Sequence, residues 1–219
     1  GGGENENWVL DNFSFDPAGS NAMIDTAENV ARKHNISLDE QHDVVAMLSV
    51  QYQKGLMDNS KFHRRFMRIP FTVPDSRFRK IVCEIESDIG IIPSTAESLS
   101  DLRPVLKGGS VTFAGQTHPA DGNASLIITT REKSEQISSD ASICVKILGI
   151  GQSRVRQSYM PEAVAPAAIS ALKHANISIK SVDAIKTHNP FAVNDIVFSR
   201  ETGVRLEKMN NYGCSLIWG

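Results

Sequence analysis

The sequence predicts an α/β fold built on a mostly parallel sheet, and two observations lead to that prediction. The C-terminal part alternates β-branched apolar runs with helix-type runs, strand–helix–strand–helix, with short connections. Such units connect right-handedly and place parallel strands side by side. The composition is that of a folded chain that can bury a core, since 41% of the 219 residues are hydrophobic and 22% are charged.

Charge and cysteine usage exclude several classes of function. The net charge is −2 with both signs interspersed, so a nucleic-acid-binding face is not expected. No apolar run approaches the roughly 20 residues that cross a bilayer, and no secretory signal pattern is found. Three widely spaced cysteines favour reduced thiols over a disulfide framework, and no His or Cys pair has a metal-ligand spacing. We therefore predict a cytoplasmic protein with no metal site.

The N-terminal part predicts two helices followed by a loop-rich region. The first helix is "NAMIDTAENVARKHN", and the second opens with a capping box formed by Ser37 and Glu40. Prolines break the pattern between Phe62 and Lys107, which predicts loops. Three aromatic residues of the opening loop are expected to be buried: Trp8, Phe13 and Phe15.

The rest of the chain supplies the predicted α/β alternation. Helices are expected over 160–176 and from Asn189 as N-cap, with Pro190 at the first helical position and Gly203 as the stop. A chain that ends in an apolar strand is expected to be a piece of a longer protein. Buried strands are expected at five places: near Val111, over 125–130, 142–151 and 181–187, and in "CSLIWG".

The stretch "THNPFAVND" (187–195) places polar residues where a predicted strand leads into a helix. Helix capping explains Asn189 and Pro190 in purely structural terms. His188 has no such explanation. It follows a parallel strand and precedes a helix N-terminus, where ligand sites form in open α/β sheets. His188 is therefore the candidate functional residue, and a satisfied buried histidine is the alternative.

Four stretches, in order, resemble motifs of the thiolase family. "MIDTAENVARKHNISLDEQHD" resembles the TAEN segment of the thiolase loop domain, and "LRPVLKGGSVTFAGQTHPADGNAS" resembles the stretch that contains AGNAS. "THNPFAVND" resembles the NEAFA motif with its HEAF and HDCF variants, and "NNYGCSLIWG" resembles NxxGGAxxxGHP. Four ordered motifs across almost the whole chain make this resemblance specific.

The resemblance implies a thiolase-like fold of two α/β halves packed as αβαβα layers, present here in part. Residues 1–107 would be the loop domain that covers coenzyme A, and 108–138 would be the last strand region of the N-terminal half. Residues 139–219 would be a truncated C-terminal half. The family also implies a homo-oligomer, either a dimer or a tetramer.

Thiolases make or cleave a carbon–carbon bond in 3-ketoacyl-CoA through a cysteine thioester. The resemblance therefore implies an acyl-CoA C-acyltransferase of lipid metabolism whose substrates are acetyl-CoA and other coenzyme A thioesters, with no permanently bound cofactor. His188 would take the oxyanion-hole position of the NEAF motif, with Asn189 beside it. Thr117, His118 and Phe191 would line the channel for the pantetheine arm of coenzyme A.

Departures from the family pattern keep alternatives open. Cys214 replaces a glycine, Cys83 and Cys144 are expected to be small buried residues, and none of the three matches a catalytic cysteine. The nucleophile is expected upstream and the GHP histidine directly after Gly219, so these 219 residues alone are expected to be inactive.

A non-catalytic acyl-CoA-binding subunit of a complex is the alternative, and a ketoacyl synthase relative is a weaker one. The basic runs "KFHRRFMRI" and "DSRFRKI" would either meet adenosine phosphates or form a solvated loop.

Overall fold

The structure is a computed structural model that describes residues 13–140 and 142–219. The predicted burial of Trp8 lies outside the described residues. The helices and strands are, in chain order, α1 (Met23–Lys33), α2 (Leu38–Ser60), β1 (Phe71–Pro74), β2 (Ile81–Ile85), α3 (Ala96–Ser100), α4 (Arg131–Ile137), α5 (Val164–Ala175), α6 (Ala192–Thr202) and α7 (Ser215–Trp218). Both predicted N-terminal helices are confirmed, and α2 departs from helical geometry over Met57–Asn59.

Helices α1 and α2 both pack against α6, and the three helices form the main core. Helices α1 and α2 each contribute an apolar stripe at helical spacing, as the sequence predicts, whereas every residue of α6 from Ala192 to Phe198 is buried. The buried side chains include Ala27, Val30, Val44, Val45, Leu48, Tyr52, Val193, Ile196 and Val197. This core fixes the orientation of α6, whose N-terminal end carries the candidate site.

The ends of these helices are only partly as predicted. Ser37 Oγ accepts a hydrogen bond from the Glu40 backbone N–H at 3.1 Å, which confirms the cap. The Glu40 carboxylate, however, accepts from Arg200 Nη2 at 2.7 Å, so it links α2 to α6 instead of completing a capping box. Gly203 ends α6 with φ 72°, as predicted.

A β-hairpin lies in the region that was expected to be loop-rich. Strands β1 and β2 pair antiparallel, with Phe71 opposite Ile85, and Asp75 holds the connecting turn by accepting from the Arg79 backbone N–H at 2.7 Å. Most residues of both strands are exposed. Without a buried face the sequence lacks the apolar–polar alternation that would have predicted them.

Three of the predicted buried strands form no ladder in the described structure. The 125–130 and 142–151 segments are exposed outside regular structure, and Ile127 and Val145 are 76% and 89% exposed. A strand needs a neighbouring strand for its backbone N–H and C=O groups, and no strand pairs with these segments among the described residues. Val111 is buried, but Glu28 accepts its backbone N–H at 2.8 Å in place of a strand partner.

The other two predicted strands are also replaced. Over 181–187 a single parallel bridge joins Ile185 to Met209. The closing run is helix α7, whose turn is made by Ile217 N–H donating to the Cys214 carbonyl at 3.0 Å. A one-turn helix leaves its end groups without intrahelical partners, and here the Leu216 backbone N–H donates to Asn189 Oδ1 at 3.4 Å while the Ser215 carbonyl accepts from Thr117 Oγ1 at 2.7 Å.

Glycines let the 149–151 segment lie directly on α5, the predicted helix that follows a short 3₁₀ turn. A Cβ atom at Gly149 would come within 2.5 Å of the Ala171 carbonyl oxygen, and one at Gly151 would overlap the Ala167 carbonyl oxygen. The backbone of the segment therefore touches the backbone of the helix, which any larger residue would prevent.

Phe13 and Phe15 are exposed, so their predicted burial is wrong. The turn that follows them is closed by Asp16 N–H donating to the Asn21 carbonyl at 2.9 Å, which holds this loop at the surface. None of the described helices combines the length and the hydropathy that a membrane span requires.

Candidate active site

The start of α6 is capped by its own third residue. Asn194 Oδ1 accepts a hydrogen bond from the Phe191 backbone N–H at 3.2 Å, and the helix begins at Ala192. The predicted cap at Asn189, with Pro190 as the first helical residue, is therefore wrong. Because Asn194 already satisfies a free donor at this helix end, the Asn189 side chain is available for other contacts.

A buried carboxylate joins the two residues that flank His188. Asp195 is 1% exposed, and its Oδ1 atom accepts from Thr187 Oγ1 at 2.6 Å. Its Oδ2 atom accepts from Asn189 Nδ2 at 2.7 Å and from Asn210 Nδ2 at 2.9 Å. Burial raises the pKa of Asp195, and the three hydrogen bonds oppose that shift. Donors that converge on one buried carboxylate form a rigid polar cluster.

The same network reaches the turn before α7. Asn189 Oδ1 accepts from Ser215 Oγ at 2.9 Å and from the Leu216 backbone N–H at 3.4 Å. Asn210 Oδ1 accepts from the Thr187 backbone N–H at 3.0 Å, and Asn210 has a φ of 55°, which is a turn conformation that asparagine tolerates. The loop before α6, the helix itself and the closing turn are thus fixed to one another.

His188 lies at the surface of this network. Its side chain is exposed, and the imidazole makes no hydrogen bond with the other described residues, so the alternative of a satisfied buried histidine is wrong. Both of its chain neighbours are hydrogen-bonded to Asp195. The backbone at His188 is therefore fixed while its ring is accessible to a ligand.

The loop that carries Thr117 and His118 is brought to the same place. Thr117 donates its backbone N–H to the Pro190 carbonyl at 2.6 Å and its hydroxyl to the Ser215 carbonyl at 2.7 Å. Gln116 forms an antiparallel bridge with Phe191. Both donors of Thr117 are thus used within the protein, so it holds the loop in place. Phe191 is buried in the core.

His118 borders an apolar cleft of about 210 Å³. The Nε2 atom of His118 is buried and has no hydrogen-bond partner among the described residues. A Cβ atom at Gly219 would come within 2.7 Å of the His118 carbonyl oxygen, so the end of α7 lies against this loop. The other lining residues are Val45, Ile92, Pro93, Ser94, Ser98, Leu99, Leu102, Phe113, Ala114, Gln116, Leu216 and Ile217.

Sequence reasoning missed the carboxylate at the centre of the site. Residues 191–198 are all buried, so Asn194 and Asp195 interrupt an otherwise apolar buried face. A charged residue inside such a face is a signal for a buried polar partner, because an unpaired one is costly. Its partners lie 6 to 15 positions away along the chain, outside the helix that carries it, and could not be named from the sequence.

The cysteines do not offer a nucleophile within the described structure. Burial raises the pKa of the Cys214 thiol, which keeps the unreactive protonated form. Cys83 and Cys144 are exposed, so their predicted burial is wrong, because the segments that carry them are not covered. Among the described residues, no three His, Cys, Asp or Glu side chains converge to hold a metal ion.

In the first basic run, "KFHRRFMRI", one arginine is used in local hydrogen bonds. Arg64 donates to the Asn59 carbonyl at 2.8 Å and to the Ile69 carbonyl at 2.6 Å, and all three residues lie after the regular part of α2. The second run forms the exposed tip of the hairpin. Both alternatives for these runs, a phosphate contact and a solvated loop, stay open.

Comparison with known proteins identifies the family. Residues 10–132 match the family described as "Thiolase, N-terminal domain", which is more than half of the chain. The chain therefore belongs to the thiolase family, and the predicted resemblance is confirmed.

Relatives and solved structures agree with that assignment. The chain is 27% identical over 200 residues to the peroxisomal 3-ketoacyl-CoA thiolase B of Mus musculus, covering 89% of this chain and 46% of the relative. It is 27% identical over 199 residues to a putative acetyl-CoA C-acetyltransferase, VraB, of Staphylococcus epidermidis, covering 90% of this chain and 49% of the relative. The chain thus spans about half the length of the curated relatives it matches.

The thiolase-like α/β fold is also shown by structural comparison. The crystal structure of the Bacillus anthracis acetyl-CoA acetyltransferase aligns with a TM-score of 0.83 and 25% identity, covering all of this chain and 54% of that chain. Human mitochondrial 3-ketoacyl-CoA thiolase in complex with CoA aligns with a TM-score of 0.77 and 24% identity, covering all of this chain and 54% of that chain. The predicted domain boundaries at 107 and 138 stay predictions.

Proposed function

We propose that this chain is part of a thiolase-type acyl-CoA C-acyltransferase, which makes or cleaves the carbon–carbon bond of a 3-ketoacyl-CoA through a cysteine thioester. One observation carries the proposal within the family assignment. The two loops that the sequence singled out separately, at His188 and at Thr117–His118, are joined directly by the hydrogen bond from Thr117 to Pro190. Acyl-CoA and CoA would be the substrates, with no permanently bound cofactor.

His188 would stabilise the oxyanion that develops on the thioester oxygen. An accessible imidazole N–H on a fixed backbone can donate to negative charge as it forms, directly or through a water molecule. The N-terminal end of α6, four residues further on at Ala192, carries partial positive charge that favours the same anion. Asn189 is buried below His188, and its two side-chain atoms are both used within the protein.

The cleft at His118 would hold the pantetheine arm. Pantetheine is a thin chain of methylene and amide groups, so it suits an apolar cleft with a few polar atoms. The unpartnered Nε2 atom of His118 would pair with one of those amides, as a donor or an acceptor according to its tautomer. The pairing would remove the cost of a buried polar atom without a partner.

The acyl-accepting thiol would come from outside these 219 residues. Cys214 is buried with a raised pKa, and Cys83 and Cys144 lie on segments away from the cleft lining. The names of the relatives favour an enzyme over a non-catalytic acyl-CoA-binding subunit. A cytoplasmic location, a homo-oligomeric state, a role in lipid metabolism and the need for an accessory subunit stay predictions.

Thiolysis of acetoacetyl-CoA by the full-length protein tests the oxyanion role. His188→Ala should lower kcat by about 10²–10³ with little change in KM, because the interaction exists only in the transition state. The matched control is His174→Ala, an exposed histidine on α5, which should keep kcat. A rise in KM alone for His188→Ala would assign the residue to substrate positioning and contradict the mechanism.

Calorimetric binding tests the cleft separately. His118→Ala should weaken CoA binding by about 10-fold, the usual effect of one lost hydrogen bond of about 1.4 kcal/mol. Adenosine 3′,5′-bisphosphate, which lacks the pantetheine arm, should bind both proteins equally. Equal weakening of both ligands would mean that His118 does not contact the pantetheine arm.

A further inference from the structure

We infer that Asp195 is a positioning residue for His188. The inference rests on the proposed role of His188 and adds a residue that neither the motifs nor the comparisons assign. The observation is that one buried carboxylate holds Thr187 through Oδ1 and Asn189 through Oδ2, the residues immediately before and after His188. A fixed residue on each side determines the direction in which the His188 side chain leaves the backbone.

The carboxylate also fixes that direction relative to the rest of the site. Asn210 donates one side-chain N–H to Asp195 and another hydrogen bond to Thr187 Oγ1 at 2.8 Å. Asn189 uses its remaining oxygen to hold Ser215 and Leu216 at the start of α7. Asp195, directly and through Asn189, therefore fixes the positions of the His188 loop, α6 and the closing turn relative to one another.

The chemistry required of this position is that of an acceptor. The side-chain nitrogens of Asn189 and Asn210 can only donate, so the oxygen between them must accept both hydrogen bonds. The other Asp195 oxygen faces Thr187 Oγ1, a hydroxyl that can either donate or accept. An amide in place of the carboxylate would keep the acceptor oxygen between Asn189 and Asn210 and would reverse the third hydrogen bond, with its N–H donating to Thr187 Oγ1. A methyl group would leave the buried donors unpaired.

The experiment compares Asp195→Ala, Asp195→Asn and Asn194→Ala in the full-length protein. Asn194 caps the same helix but contacts neither neighbour of His188, so it controls for loss of stability. Thiolysis of acetoacetyl-CoA should show kcat lowered about 10- to 100-fold by Asp195→Ala with KM within about twofold, since misplacement of a catalytic group acts on the chemical step. Asp195→Asn should restore kcat to within about threefold of the wild type, and Asn194→Ala should lower Tm but keep kcat.

Amide hydrogen exchange provides a readout that does not depend on turnover. Asp195→Ala should speed exchange at the amides of Thr187 and Leu216 by at least about 10-fold, and Asp195→Asn should leave them protected. Exchange at Phe191 should rise in Asn194→Ala, whose side chain accepts that N–H. If the wild type shows this protection pattern without thiolysis, the proposed function fails while the network stands.

Two results would overturn the inference. The first is an equal loss of kcat in Asn194→Ala and Asp195→Ala at matched Tm, which would make the effect one of general stability. The second is an Asp195→Asn variant that behaves like Asp195→Ala in both kcat and exchange, because acceptor geometry would then not be what positions His188.

Discussion

Helix α6 and the segments over 125–130 and 142–151 are all rich in β-branched and other apolar residues, yet they have opposite surroundings in the structure. Every residue from 191 to 198 is buried. In the two segments, side chains such as Ile127 and Val145 are exposed. Apolar sequence alone therefore does not decide which part of this chain forms a packed core.

Backbone hydrogen bonding explains the contrast. A helix satisfies its N–H and C=O groups within itself, so α6 needs only packing partners, which α1 and α2 provide. A strand depends on a neighbour for half of its backbone hydrogen bonds. The hairpin of β1 and β2 forms because its two strands are adjacent in sequence and supply each other. Within the part of the chain that the structure describes, the 125–130 and 142–151 segments have no such paired strand.

The largest expected effect comes from paired truncations in the two regions. Ile196→Ala should lower the free energy of unfolding by about 2–5 kcal/mol, because it leaves a cavity in the core. Ile127→Ala should change it by no more than about 0.5 kcal/mol, because that side chain is already in solvent. Urea unfolding of the 219-residue chain measures both values. Similar losses for the two variants would show that 125–130 is buried in solution and would break the comparison.

The polar network should contribute a smaller but measurable amount. Asn210→Ala removes donors and an acceptor from buried partners, whereas Asn176→Ala removes an exposed side chain at the C-cap of α5, where the cap hydrogen bonds are made by the backbone. Both residues have φ 55°, so the backbone cost of alanine is the same in each. Asn210→Ala should therefore be the less stable of the two by about 1–3 kcal/mol in urea unfolding. No difference between them would indicate that the network adds rigidity without stability.

The smallest expected effect is a pH dependence at Asp195. Burial raises the pKa of this carboxyl in the folded protein, so the fold binds the proton more tightly than the unfolded chain does. The free energy of unfolding should therefore fall as the pH rises from the ordinary range of carboxyl pKa values through the raised pKa of Asp195. Asp195→Asn lacks this proton, and its stability relative to the wild type should increase over the same range. Unfolding measured from about pH 4 to about pH 8 would reveal it; a constant difference would contradict the raised pKa.

The parts of the fold that could be predicted from the sequence are those specified locally. Helices α1 and α2 follow from apolar spacing and a serine cap, and the end of α6 follows from a glycine. The strands failed because pairing is a property of two segments, and the pattern of one segment cannot report whether the other lies beside it. The hairpin was missed for the converse reason, since its pairing is local but its faces are exposed.

The residues of the candidate site also differ in whether they could be predicted from the sequence. His188, Thr117 and His118 could be named as candidates because each stands in a stretch with a recognisable pattern, and their roles stay predictions. Asp195 was not, because its importance comes from contacts with residues up to 15 positions away, at Asn210. The start of α6 was misplaced by two residues, at Pro190 instead of Ala192, because the competing cap, Asn194, lies inside the helix.

The glycine contact between the 149–151 segment and α5 also restricts how the segment and the helix can move relative to each other. Two residues of extended chain advance about 6.6 Å, and four residues of helix, the spacing from Ala167 to Ala171, advance about 6 Å. The two repeats nearly match, so each glycine meets a successive turn of the helix. Sliding the segment by one such step would bring Ile147 or Ser153 against the helix backbone, where a side chain does not fit. The contact therefore prevents sliding. The segment can separate from the helix, but it cannot shift along the helix axis while the two stay in contact.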